Sequence, residues 1–188
     1  MHRQPLLRLL QSHRPFDAAE RIGWEHMQAF LRETPDCFER HNEYGHFTGS
    51  GWLLNRDGRR VLLHQHRKLG MWLQLGGHAD GDPDLLRVAL REAREESGIE
   101  AIEPVRTSVF DVDVHEIPAR GDRPAHLHFD VRFLLRVTGV ESFRCSEESF
   151  ALGWFTAEEL EQLDVDASVR RMNRKWTEGE RRVRNGER

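Results

Sequence analysis

"LQLGGHADGDPDLLRVALREAREESGI", Leu73 to Ile99, holds a pair of glycines, an Asp-Pro-Asp turn and then a strongly periodic apolar run that ends in a block of charge. At about 100° per residue, Leu85, Leu86, Ala89, Leu90 and Ala93 fall in one arc of about 140°, which reads as the buried stripe of a helix. Glu92, Glu95 and Glu96 fall within about 100° of one another at the edge of that stripe, with Arg87, Arg91 and Arg94 beyond them. Glu92 and Glu96 stand at i, i+4, where like charges destabilise a bare helix by a few tenths of a kcal/mol. A hard divalent cation would resolve the repulsion, because Mg²⁺ takes carboxylate oxygens and completes its shell with water and phosphate. The helix therefore reads as a platform for metal and phosphate.

Outward from this helix the chain reads as a mixed sheet. Asp17 is a cap for an N-terminal helix running to Glu33, which "TPD" ends. "GHFTGSGWLLNRDGRRVLLHQHRKL" reads as two strands joined at "NRDG", and "MWLQLGG" as a short extended lead into the helix. "VRTSVFDVDVHEI" and "AHLHFDVRFLLRV" alternate sharply and read as two strands linked by a loop with Pro118, Gly121 and Pro124. "SFALGWF" is a further strand, "TAEELEQL" a short helix capped by Thr156, and "DASVRRMNRKWTEGERR" a terminal helix. Strands interrupted by helices predict an α/β fold, a mixed sheet flanked by helices. The expected organisation is a helical extension over 1–40 packed on one domain over 41–188.

The 188 residues suit a single core without disulfides or metal staples. Only two cysteines occur, Cys37 and Cys145, which read as buried free thiols. A formal net charge of −4 supplies no basic field for a nucleic-acid backbone, and no stretch approaches a membrane span. The expected location is the cytoplasm, and a homodimer is compatible with the sequence.

Gly77, Arg91, Glu92, Ala93, Glu95, Glu96, Gly98 and Ile99 match the Nudix box, G-x5-E-x7-R-E-U-x-E-E-x-G-U with U apolar, at every position but one. The chain thus resembles the Nudix hydrolase family, and the order of strands around the box looks like its α/β/α sandwich. The resemblance implies hydrolysis of a diphosphate linkage in a nucleoside diphosphate derivative, a nucleotide sugar or ADP-ribose-like compound. It also implies Mg²⁺ or Mn²⁺ held chiefly by Glu92 and Glu96, with Glu95 near metal or water and Gly77 part of the metal site. Glu95 is one candidate base, and Glu147 and Glu148 in a later loop are the alternative. Arg91 is expected to orient carboxylates. The mismatch is Pro83, where the family has its first glutamate. Asp82 is expected to cap the helix with Pro83 at the first helical position, and Asp84 to replace part of the missing charge.

Eleven histidines are many for this length. His126, His128, Asp130 and Arg132 share one face of a strand, and Asp111, Asp113 and His115 one face of its neighbour, so pairing would bring these polar sets together. His126, His128 and Asp130 are expected to line the substrate side, joined by His78 and by His64 and His66. Lys68 is a candidate phosphate contact. Alternative readings are a nucleoside triphosphate or RNA 5′-end pyrophosphohydrolase, a nucleotide-binding module without turnover, and a histidine-built zinc site.

Overall fold

β1 (Gly45–Leu54) is the centre of the molecule, and all ten of its residues are buried, as a strand covered on both faces must be. In the computed structural model, which describes residues 2–67, 70–144 and 149–184, eight strands form one mixed sheet. β1 turns at Asn55 to Arg60 into the antiparallel β2 (Val61–His66). β3 (Trp72–Leu73) lies beyond β2, while β4 (Leu75–His78) returns along the other end of β1, pairing Thr48 with His78 and Gly51 with Leu75. β1 thus has different partners at its two ends, and the sheet curls around it.

After helix α3 (Leu85–Ser97) and the short β5 (Ile102–Pro104), β6 (Asp111–Ile117) and β7 (His126–Val137) form the expected antiparallel pair. β7 lies parallel to β1 over ten positions, from Gly45 beside Leu127 to Leu54 beside Arg136. β8 (Ser149–Phe155) adds to β2. Both α1 (Gln4–Ser12) and β5 escape the sequence reading, since nine and three residues are too few for periodicity to stand out.

The two faces carry separate apolar layers. On one, α3 packs against β1 so closely that a Cβ at Gly49 would lie 2.7 Å from the Leu85 carbonyl oxygen, which only glycine permits. The same layer takes in Leu6 and Leu10 of α1 and Phe30 of α2 (Ala18–Glu33), whose ring stacks on Phe129 at 4.0 Å. On the other, α5 (Ala167–Arg184) lays Val169, Met172 and Trp176 against Trp52, Val61, Leu63 and Phe110. The second layer also takes Leu160 of α4 (Ala157–Leu160), a single turn whose Thr156 cap and Glu159 complete a capping box.

Asp17 caps α2 as expected, accepting from the Glu20 N–H. The start of α3 differs from the sequence reading. Asp84, not Asp82, is the cap and accepts from the Arg87 N–H, so Pro83 stands before the helix instead of at its first position. Asp82 is instead held by a two-pronged Arg87 guanidinium and by the Asp84 N–H. Asp84 has the non-helical backbone a cap needs, with φ −90° and ψ 84°, while both Asp82 oxygens are already taken by Arg87.

Glu20 is buried where α2 meets β6 and α5. Burial alone raises its pKa, but hydrogen bonds from His13, from Lys175 at 2.6 Å and from the Phe16 N–H outweigh it and bring it down to about 2. A folded pKa below the unfolded value stabilises above about pH 4.5, and that contribution is lost as pH falls toward 2. The shift corresponds to roughly 3 kcal/mol. Acid melts of the wild type and Glu20→Gln are expected to converge as pH drops through this window, and parallel profiles would refute it.

Candidate functional site

The buried face of α3 takes in Val88, Glu96 and Ser97 besides Leu85, Ala89 and Ala93, while Leu86 and Leu90 are partly buried, so Glu96 presses on the sheet and does not merely flank the stripe. Glu96 Oε2 accepts the Gly76 N–H of β4 at 2.8 Å. Gly77 sits directly over Glu92, where a Cβ would come within 2.4 Å of the carboxylate. Arg91 donates to Glu92 Oε1 at 2.7 Å and to the His78 carbonyl at 2.9 Å, tying helix to strand. It orients Glu92 rather than Glu95, its i, i+4 neighbour; Glu95 is exposed. Asp84, exposed at the helix start, carries its charge as the cap of α3.

Burial raises the Glu92 pKa even against its bond from Arg91, and the nearby Glu95 charge adds to the rise. Carboxylates crowded under a glycine pair, with one arginine to offset them, form an oxygen donor set of the kind a hard divalent cation takes. Gly77→Ala is expected to lower turnover by about 10²-fold, because the methyl displaces Glu92 by about an ångström. The displaced atoms are the end of a flexible side chain, so the melting temperature should hardly move. A fully active Gly77→Ala would show that Glu92 need not lie there.

Strand alternation sends Gly77 and His78 to opposite faces of β4. His78 enters a cluster with His46 and His128, whose ligating nitrogens lie within 4.8 Å of one another. His46 is fully buried; burial, then the neighbouring His78 and His126, lower its pKa to about 3. His78 is lowered to about 4 and His128 to about 2, in each case first by burial. His126 stacks on His46 with ring centroids 5.1 Å apart. The sequence reading missed His46, whose place beside His128 comes from the parallel pairing of β1 with β7.

Asp130 is not on an open substrate face. It is buried, and its two oxygens accept from Thr48, Ser50, Gln74 and Arg132, which fills the roughly four lone-pair sites of a carboxylate. The strand alternation is right, but the polar face of β7 is covered, so Asp130 anchors an internal layer. His64 and His66 also lie apart from the other histidines: His64 Nδ1 is 3.9 Å from Glu96, and His66 packs edge-on against His64. Lys68, Glu147, Glu148 and Cys145 lie outside the described residues. Cys37 is a buried free thiol, pushed up to about 12 chiefly by burial.

Residues 46–176 match the family model for the NUDIX domain. Solved structures with the same fold include a C. elegans Ap4A hydrolase in a binary complex, 19% identical, with TM-score 0.56 over 70% of this chain and 94% of that one. The E. coli dihydroneopterin triphosphate pyrophosphohydrolase is 18% identical, with TM-score 0.52 over 68% and 91%. The Nudix hydrolase RenU of M. smegmatis is also 18% identical, with TM-score 0.51 over 76% and 87%. Among the described residues no helix is long and apolar enough to cross a membrane. A glycine pair over a glutamate helix, a curled mixed sheet between helical layers and a family match over most of the chain lead to one assignment: the chain belongs to the NUDIX domain family, as a Nudix-type pyrophosphohydrolase.

Proposed function

We propose that the protein hydrolyses a diphosphate linkage in a nucleoside diphosphate derivative, a nucleotide sugar or ADP-ribose-like compound, with Mg²⁺ or Mn²⁺ at the glutamates of α3. The observation that supports this most directly is the seating of Glu92 under Gly77 beside Glu96 bound to the Gly76 N–H. Glu92 and Glu96 would hold the cation, with Glu95 and the Gly77 backbone completing the protein's share of the shell. A cation bound there would neutralise the negative charge that builds on phosphoryl oxygens as water attacks phosphorus.

The chain's own groups do the rest. Arg91 keeps Glu92 turned toward β4, and its bond to the His78 carbonyl fixes the distance between helix and strand. Glu95, exposed and next to Glu92, is the carboxylate on this helix best placed to take a proton from the attacking water. Asp80, joined to Arg40, and Asp82, joined to Arg87, use up their charge in pairs on the loop before α3.

The test is product identification by mass. Nucleotide sugars, dinucleotides and nucleoside triphosphates are offered in turn with Mg²⁺ or Mn²⁺. Release of nucleoside monophosphate from the diphosphate derivatives is the expected result. Pyrophosphate from triphosphates alone would move the substrate to that class, and no product from any of the three would end the reading.

A further inference from the structure

A second cluster of metal-ligating groups lies across β4 from the glutamates, and it is made of nitrogen instead of oxygen. His46 of β1, His78 of β4 and His128 of β7 come from three strands, and β1 is flanked by both of the others. Their rings are packed with centroids 5.1 Å apart for His46 and His78, 4.9 Å for His46 and His128, and 4.9 Å for His78 and His128.

What sets the cluster apart from core histidines is its unmet hydrogen bonding. His46 has no exposed surface, yet neither Nδ1 nor Nε2 has a hydrogen-bond partner, and Nε2 of His128 and Nε2 of His126 are buried and unpartnered too. A buried polar atom left in this state costs about 1–3 kcal/mol, and native interiors rarely leave several together. The His126 ring explains its own state: Nδ1 bonds the Pro124 carbonyl at 2.9 Å, leaving Nε2 free beside His46. This is the arrangement in which an outer hydrogen bond orients a ligating imidazole. His115, fixed through Nδ1 to Asp113 at 3.1 Å, stands against the outer side of His128.

We propose that His46, His78 and His128 form a binding site for a divalent ion of the zinc class, distinct from the glutamate site, with His126 beside it as the nearest further nitrogen donor. Imidazole nitrogen suits Zn²⁺ and its neighbours in the first transition row, whereas Mg²⁺ takes oxygen. The nitrogens of a tetrahedral Zn²⁺ site lie roughly 3.3 Å apart, from the Zn–N distance of ~2.0–2.1 Å. The three rings therefore need side-chain rotations of only about an ångström to close on an ion. Burial keeps the rings in the neutral form that binds metal. Three protein ligands leave a fourth position for water or a substrate oxygen. The two sites meet in the Gly76 to His78 segment, with glutamates below it and histidines above.

The test uses the full chain purified without a histidine tag and stripped of metal by a chelator. Titration with Co²⁺ is expected to give the visible absorption of a tetrahedral nitrogen site at one equivalent, lost on adding Zn²⁺ and retained in excess Mg²⁺. His128→Asn and His46→Asn should each weaken Co²⁺ binding by at least about 10–100-fold, the loss that even an outer-shell partner causes. Glu96→Gln should leave the tetrahedral Co²⁺ absorption and its midpoint unchanged, which separates this site from the glutamate cluster. If His46→Asn does not fold by circular dichroism, His78→Asn, at a half-buried position, carries the same expectation. Absence of saturable Co²⁺ or Zn²⁺ binding to the folded wild type would overturn the proposal, as would equal binding by the folded histidine variants. Either result would leave water as the partner of these nitrogens.

Discussion

Glu96→Gln is expected to lower turnover by about 10²–10³-fold, the range for removing one group that stabilises charge in a transition state. The substitution isolates charge from shape. Glu96 is 7% exposed, and its Oε2 accepts the Gly76 N–H. A glutamine oxygen can accept the same bond, so the tie between α3 and β4 survives while a negative charge disappears. Turnover measured against Mg²⁺ concentration, with melting temperature as the control for folding, gives the answer. A variant within threefold of wild type at saturating Mg²⁺ would mean that the carboxylates of α3 are not where the cation acts.

Asp111→Ala is expected to destabilise the fold by about 3–5 kcal/mol, the cost of removing one partner from a buried ion pair. Asp111 is completely buried at the start of β6 and accepts from Arg132 at 3.3 Å, from Arg171 at 2.8 Å and 2.9 Å, and from Lys175 at 3.0 Å. Burial would lower the pKa of Arg132, but Asp130, Asp113 and Asp111 together hold it above its ordinary value. Truncating Asp111 leaves three cations converging on an empty place, two of them arginines that stay charged when buried. For a chain of this length the melting temperature should fall by about 10 °C. Asp113 and Asp130 remain to hold Arg132, so Arg171 and the packing of α5 should take most of the damage. A fall of less than about 2 °C would show that the network contributes nothing net.

These expectations differ in how early they can be stated. The glutamate helix is legible from residues 73–99 because its signals lie within one element: apolar spacing, a glutamate cluster on one side, glycines at a set distance. The alternation of β6 and β7 is legible for the same reason, and their pairing follows from a short connection. The cap of α3 is harder to read, since Asp82 and Asp84 are equally good candidates and the choice rests on backbone angles around Pro83. Asp130 and His128 are harder still. Alternation puts them on the polar face of β7, but whether that face meets solvent depends on what covers it.

By itself the sequence determined the α/β class, the box that marks the family, and the cluster of carboxylates, because each is written in short-range periodicity. Only the tertiary structure decided that Asp130 is an internal anchor, that His64 belongs with Glu96, and that His46 meets His78 and His128. The physical reason is register. The parallel pairing of β1 with β7 joins residues 82 apart, such as Thr48 and Asp130. It is selected by the burial of both strands between two apolar layers, and no local pattern in either strand specifies it.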